Sequence, residues 1–363
     1  KWHLGDADPY QPDKRGFDES FIHGAGGIGQ NFPGTQGAVP GTSYFDPFVK
    51  HNGRIVKTKG FCTDVFFEQA MVWMKQCRDK KQPFFAYIPS NAPHGPFICP
   101  DEYKKPFEDK VKDKNTKAFF GMIANIDDNM GRLMAKLDEW GMVDNTLLIF
   151  MTDNGSARGS RIFNAGMKGG KGSVNQGGAR VPLFMRLPGK IKAGVDVDRL
   201  ARHVDMFPTL AAIAGAKLPK KVDLDGRSLI PLIENPKAKW SDRYTFFHQG
   251  RWAKAGAPGR WSKGNSNPDD FQHQRFAVRN ERWRLVGKSL HDLDADPGER
   301  TNVIGKHPAV AAKMMKAYDA WWKEVRPLMV NEDAPLDIGK PFIELYNKQK
   351  TAGGIPKWKK PNF

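Results

Sequence analysis

Thr146-Leu-Leu-Ile-Phe-Met-Thr152 runs straight into Asp153-Asn154-Gly155. An apolar run of this length without alternation predicts a strand buried on both faces. Gly155 lets the chain turn sharply after it, which leaves a carboxylate and an amide oxygen at the strand's carboxyl end. Those donors suit a hard divalent cation, calcium or magnesium, so Asp153 and Asn154 are candidate metal ligands. An Asx turn closing the strand uses the same residue types. A complete cation site would need further ligands from elsewhere.

Upstream of that strand, Phe119, Ile123, Ile126, Leu133, Leu137 and Trp140 fall at three- and four-residue intervals and predict a helix from about Asn115 to Trp140, stopped by Gly141. Earlier still, Val65, Ala70, Trp73, Met74 and Cys77 predict a helix over Asp64 to Lys81. It feeds a second apolar run, Pro83 to Pro89, read as a short buried strand. Downstream, Val181 to Leu187 reads as another strand and Met206 to Ala214 as a helix. Helices alternating with continuous apolar strands imply an α/β fold with a mostly parallel sheet flanked by helices, and place functional groups in loops at the strands' carboxyl ends. After about Trp240 the texture changes. Gly250 to Asp270 is rich in Gly, Pro, Ser and charge, as in a surface loop. Arg275 to Arg279 and Trp283 to Val286 alternate around Asn280-Glu281 as a hairpin, and Pro308 to Arg326 is a helix with Pro at its start. The expected division is 1–240, a catalytic α/β domain; 241–326, a small antiparallel-sheet-plus-helix subdomain; and 327–363, a basic tail.

The 363 residues carry 57 Lys and Arg against 40 Asp and Glu, a net charge of +17. Such a field attracts polyanions, without naming a reaction. No apolar run approaches the roughly 18 residues that cross a bilayer. Cys62, Cys77 and Cys99 lack paired spacing and so argue against a structural zinc or a disulfide framework. Three motifs fail their context. Gly24-Ala-Gly26-Gly-Ile-Gly29 has no strand before it and Pro33 where a helix should begin, so it is not a dinucleotide loop. Gly170-Lys171-Gly172 lacks the leading Gly and the Ser or Thr of a phosphate-binding loop. Asn154-Gly-Ser156 is formally a glycosylation sequon, but sits at the end of an apolar strand.

Four further residues have the chemistry of a site. His94, in Asn91-Ala-Pro-His94-Gly-Pro96, lies in a loop stiffened by two prolines that can hold an imidazole for proton transfer or anion contact. Lys171 is flanked by glycines that leave an anion unobstructed. Lys1 and His3 can form a cation and base pair around Trp2. Taken singly, a loop His is more often an ordinary surface group, a Gly-Lys-Gly segment a solvated loop, and a chain terminus frayed.

Taken in order, Lys1-Trp-His3-Leu-Gly5, Gly16-Phe17-Asp18, Asn91-Ala-Pro-His94-Gly-Pro, Thr152-Asp153-Asn154-Gly155, Gly170-Lys171-Gly172 with Gly177-Gly178-x-Arg180-x-Pro182, and Val204-Asp205-x-Phe207-Pro208-Thr209-Leu210 resemble the sulfatase family of the alkaline-phosphatase superfamily. Leu290-His-Asp-Leu293 and Asp296-Pro-Gly-Glu299-x-x-Asn302 resemble its C-terminal subdomain. The resemblance implies an alkaline-phosphatase-like fold and hydrolysis of sulfate monoesters, including those of sulfated glycans. Lys1, His3 and His94 would surround sulfate and nucleophile, Lys171 would contact the sulfate, and Asp153 and Asn154 would bind calcium (or magnesium). Gln176 stands where relatives often carry Glu, which puts a local charge partner in doubt. The family's nucleophile is a formylglycine made from Cys in Cys-x-Pro-Ser-Arg or Cys-x-Ala-Gly-Arg, and an Asp-Asp pair completes the metal site. Neither occurs here, and both precede Lys-Trp-His in the family, so an upstream segment is expected to carry them and this chain alone is not expected to turn over sulfate esters. The rival readings are a phosphodiesterase or phosphonate hydrolase of the same superfamily, against which Asn154 in place of His speaks, and a non-catalytic relative binding polyanions. The expected partner is a sulfated small molecule or glycan, with no specific nucleic acid and no membrane span. By family analogy the protein is expected to be periplasmic or secreted.

Overall fold

The computed structural model describes residues 1–24, 26–29, 39–218, 221–249, 268–329 and 339–362. The chain divides into two compact units, Lys1–Val143 with Ala334–Phe363, and Asp144–Asp333.

In the first unit, β1 (Phe21–Ile22), β2 (Phe48–His51) and β3 (Arg54–Lys57) form an antiparallel sheet, with Val49 opposite Val56. Helix α1 (Cys62–Asp79) packs against α2 (Lys114–Glu139), both where apolar spacing predicts them. Asp113 caps α2 by accepting from the Thr116 amide at 2.7 Å. Val65, Phe66, Ala118 and Met122 are buried in one cluster with Tyr44 and Phe61. The expected basic tail holds a helix that the sequence reading lacks, α7 (Pro341–Ala352), which packs on β3. Phe342 is buried with Ile22, Phe48 and Ile55. The Gln349 amide brackets Ile55, accepting from its N–H at 2.7 Å and donating to its carbonyl at 3.0 Å. Beyond α7, Lys57 and Trp358 exchange backbone hydrogen bonds with the 356–358 segment and β3, and Trp358 is itself buried. This segment covers an edge strand that would otherwise present unpaired backbone groups.

In the second unit, β4 (Leu148–Met151) pairs antiparallel with β5 (Leu183–Arg186), Met151 opposite Leu183. After α3 (Gln176–Ala179), α4 (Met206–Ile213) and α5 (Ile230–Glu234), a four-stranded antiparallel sheet follows: β6 (Thr245–His248), β7 (Phe276–Arg279), β8 (Trp283–Val286) and β9 (Ser289–Asp292), in that order. The expected β7–β8 hairpin forms, its turn closed by Asn280, whose side-chain oxygen accepts from Trp283 N at 2.6 Å. Helix α6 (Pro308–Met329) lays Ala311, Met314, Tyr318 and Trp322 on Phe276, Val278, Leu285 and Leu290. It continues past Arg326 to Met329, with Pro327 inside its last turn. The loop read over 250–270 lies outside the described residues except 268–270.

The expected parallel ladder is not present among the described residues: each named strand pair is antiparallel. Among the described residues Pro83–Pro89 forms no part of a sheet, and its Phe85 and Tyr87 are 55% and 57% exposed. Strand β4 is half-buried rather than buried on both faces. The cause is that an apolar run specifies burial but not the partner that provides it.

Candidate functional site

The six site residues fall into two groups, one in each compact unit. Lys1, His3 and His94 belong to the first. The backbone nitrogen of Lys1 donates to Pro89 O at 2.5 Å, which ties the Lys-Trp-His segment to the end of the extended 83–89 run. Trp2 is pinned by donation from Nε1 to Tyr10 O at 2.7 Å and by edge contact with Phe17 at 5.8 Å. His3 follows in a left-handed conformation, φ 57°, and is exposed. A non-Gly residue held there reflects constraint from its surroundings. His94 is positioned from the backbone: its N–H donates to Asn91 O at 3.1 Å, and its carbonyl accepts from the buried Tyr44 hydroxyl at 2.5 Å. Its Nδ1 faces Gly95 O at 2.9 Å, so Nδ1 carries the proton and Nε2 is the atom that exchanges one. Asn91, 1% exposed, accepts from Ile28 N at 3.1 Å and so anchors this loop.

His23 was not signalled by spacing or motif. It is 1% exposed, its Nδ1 donates to Gly24 O at 3.0 Å, and burial, then the positive charge of nearby Lys1, hold its pKa well below the usual range. It stays neutral. Cys62, Cys77 and Cys99 are buried free thiols, and burial pushes Cys62 up to about 12, so it is not set up as a nucleophile.

Asp153, Asn154 and Lys171 belong to the second unit and share one small frame. Gly155 N donates to Gly178 O at 3.0 Å, Lys171 N to Ser156 O at 3.0 Å, and Gly177 N to Lys168 O at 2.8 Å. The segments approach so closely that a Cβ at Gly155 would lie 1.8 Å from Gly177 O, and one at Gly178 2.1 Å from Ser173 O. The turn after β4 and the Lys171 loop are thereby held together backbone to backbone. Lys171 and Asp153 are exposed, and Asn154 is half-buried. Another residue that sequence reasoning passed over, His203, donates from Nε2 to Thr152 O at 2.9 Å beside this turn.

The Val204 to Thr209 motif proves structural. Asp205 is 0% exposed and accepts from Arg202 N at 2.7 Å, from Arg227 N at 3.0 Å and from both terminal nitrogens of Arg243. Burial alone would raise its pKa, but these donors hold it below the usual carboxylate range. Thr209 Oγ1 donates to Asp205 O and accepts from Leu229 N.

No cluster of three or more His, Cys, Asp or Glu side chains able to hold a metal occurs among the described residues. Asp153 and Asn154 offer two hard oxygens on one turn, a donor set that fits calcium or magnesium but is fewer than the six to eight that calcium takes. No helix among the described residues is long and apolar enough to cross a membrane.

Residues 1–216 match the family profile "Sulfatase", and residues 171–322 match "N-sulphoglucosamine sulphohydrolase, C-terminal". An uncharacterized sulfatase, YdeN, of Escherichia coli (strain K12) is 28% identical over 93% of this chain and 62% of its own length. Human N-acetylgalactosamine-6-sulfatase is 27% identical over 83% of this chain and 60% of its own. The chain thus spans less than two thirds of the length of these relatives. The crystal structure of Ps i-CgsB superposes with a TM-score of 0.72 at 30% identity, covering 88% of this chain and 69% of that one. The same protein has been solved in complex with k-i-k-neocarrahexaose. The fold is therefore alkaline-phosphatase-like α/β with a C-terminal antiparallel sheet, and the chain belongs to the sulfatase family.

Proposed function

We propose that the protein hydrolyses sulfate monoesters of sulfated glycans, using a formylglycine carried on a segment upstream of Lys1. The observation that carries this reading is the single backbone frame that holds the Asp153-Asn154 turn and the Lys171 loop together, since it fixes oxygen donors and a cation on one support. Asp153 and Asn154 are the residues of this chain that would hold calcium. When bound, the cation would polarise sulfate oxygens, and a formylglycine upstream would supply the attacking oxygen. Lys171 and Lys1 neutralise charge growing on the sulfate, the electrostatic help that usually dominates such transfers. With one proton committed from Nδ1 to Gly95 O, the imidazolium form of His94 gives its second proton, on Nε2, to the departing alcohol and is left neutral. His3 takes up a proton as the site is reset. The functional division expected from the sequence is part of the proposal: all six site residues lie in 1–240, and 241–326 contributes the sheet β6–β9 with α6.

The net charge of +17 and the oligosaccharide complex of Ps i-CgsB support a polyanionic glycan as substrate. The same analogy with glycan-degrading relatives supports a protein of the periplasm or of the cell exterior. The test is sulfate against phosphate release by the full-length protein from aryl esters and sulfated oligosaccharides, with Lys171→Ala and His94→Ala beside the wild type. Each variant is expected to lose roughly 100-fold or more in kcat/KM, the scale of a removed transition-state donor. Unchanged rates, or phosphate release faster than sulfate release, would sink the assignment.

A further inference from the structure

Glu299 combines two features that rarely coincide. It is a non-Gly residue in the left-handed region, φ 55°, and its side chain is 0% exposed. The turn holding it is closed by Asp296, which accepts from Arg300 N and Thr301 N at 2.6 Å each. The carboxylate serves two partners. Oε1 lies 2.7 Å from Nε of Arg284 but off the N–H line, so the contact is ionic rather than an aligned hydrogen bond. Oε2 accepts from Gln176 N at 3.0 Å. Arg284 is also 0% exposed; burial lowers its pKa to about 10, which leaves it cationic at neutral pH, and its Nη2 donates to Val174 O.

Gln176 completes the cluster and explains why a neutral amide stands there. Its Nε2 donates to Pro297 O at 2.7 Å, and its Oε1 accepts from Arg279 Nη1 at 3.1 Å. An ionised Glu could meet Arg279 but has no N–H for the Pro297 carbonyl. Lys168 Nζ reaches Glu299 O at 3.4 Å. Val174, Gln176 and Lys168, which flank Lys171 on both sides, are thus tied to the 297–299 turn and to Arg284 on β8.

A buried ion pair is weak evidence for stability, because well-packed apolar residues fill the same space as well or better. Backbone strain persists only where its surroundings determine it. A strained Glu in a fully buried pair is therefore better understood as fixing geometry. We propose that Glu299, acting with Arg284 and Gln176, is a positioning residue for Lys171: it sets where the Gly169–Gly172 loop lies and so where the Lys171 ammonium meets a sulfate. The inference rests on the proposed function of Lys171.

The test measures the affinity of the full-length protein for inorganic sulfate by calorimetry, together with Tm, for wild type, Lys171→Ala, Glu299→Gln and the double variant. Glu299→Gln is expected to weaken sulfate about tenfold, within the loss of up to about 100-fold that a displaced site group causes. The double variant is expected to bind within twofold of Lys171→Ala, because Glu299 acts through Lys171. A lowered Tm with sulfate affinity unchanged in Glu299→Gln overturns the proposal, as does an equal loss with and without Lys171. If Lys171→Ala itself binds sulfate like the wild type, the site reading falls and this proposal with it. Should Glu299→Gln not fold, Gln176→Ala keeps the ion pair and removes two anchors of the loop. It is expected to weaken sulfate about threefold and likewise only when Lys171 is present; no weakening overturns the proposal.

Discussion

The sheet β6–β9 under α6 and the apolar segments around Phe85 and β4 look alike in composition but behave differently in the fold. In the first, Phe276, Val278, Leu285, Leu290, Met314 and Tyr318 are all at 1% exposure or less. In the second, Phe85, Tyr87 and Phe184 stand at 55%, 57% and 65%. Apolar side chains are a demand for cover, and cover depends on an element from elsewhere in the sequence. Between β7, β8, β9 and α6 every partner lies within about 50 residues and the demand is met locally. Among the described residues the run at 83–89 joins no sheet and β4 pairs with β5 alone, and exposed apolar surface of this kind marks an interaction site or an aggregation liability.

Substitutions can break or sharpen that contrast. The largest effect is expected from Arg284→Ala, which leaves Glu299 buried and unpaired; about 3–5 kcal/mol should be lost in urea unfolding. A loss below about 1 kcal/mol would mean that water reaches the pair. Next, Leu285→Ala in the β6–β9 core should cost about 2–5 kcal/mol by the same measurement.

Asp205 tests a different property of the covered region, its acid limit. Its folded pKa lies below the ordinary 3.8, so the unfolded chain takes up the proton first as pH falls. The stability it confers is therefore complete above 3.8 and is lost as pH drops through the lower folded value. Asp205→Asn should be less stable than wild type near neutrality and show a shallower loss below pH 3.8; parallel acid limbs would contradict the assignment. The smallest effect belongs to the exposed region. Phe184→Ser should change unfolding free energy by no more than about 0.5 kcal/mol, while light scattering shows less association. A large destabilisation would reveal hidden cover over β5.

The same contrast explains what the sequence made legible. Helices α1, α2 and α6 carry their apolar stripe in consecutive turns, so their existence and near-correct ends follow from spacing alone. The β7–β8 hairpin is as local. Helix α7 escaped because its burial comes from Phe342, and its tie to β3 depends on Gln349 meeting Ile55, almost 300 residues away, a relation that no periodicity expresses. In the site, the pairing of the Asp153 turn with Lys171 was carried by motif order, while the close approach of Gly155 to Gly177 and Gly178 shows only in the fold. His203 and Glu299 were not legible as parts of that surrounding: one sits beside a motif read for Asp205, the other in the Asp296-Pro-Gly-Glu299 motif, read only as a mark of the C-terminal subdomain. Gln176 appeared as a lost charge, yet only the folded chain brings up the Pro297 carbonyl that requires an amide.

The backbone crossing of Gly155 with Gly177 and Gly178 has a consequence for anyone wishing to alter selectivity. The two loops are joined where side chains cannot be introduced, so libraries that randomise either loop alone will return empty columns at these three positions. Nor can a new length be given to one loop without moving the other. Exchanging segments between relatives should succeed when residues 153–178 travel as a single cassette together with the Arg279, Arg284 and 297–299 anchors that hold them. It should fail when the cut falls inside that span, however well the flanking side chains are matched.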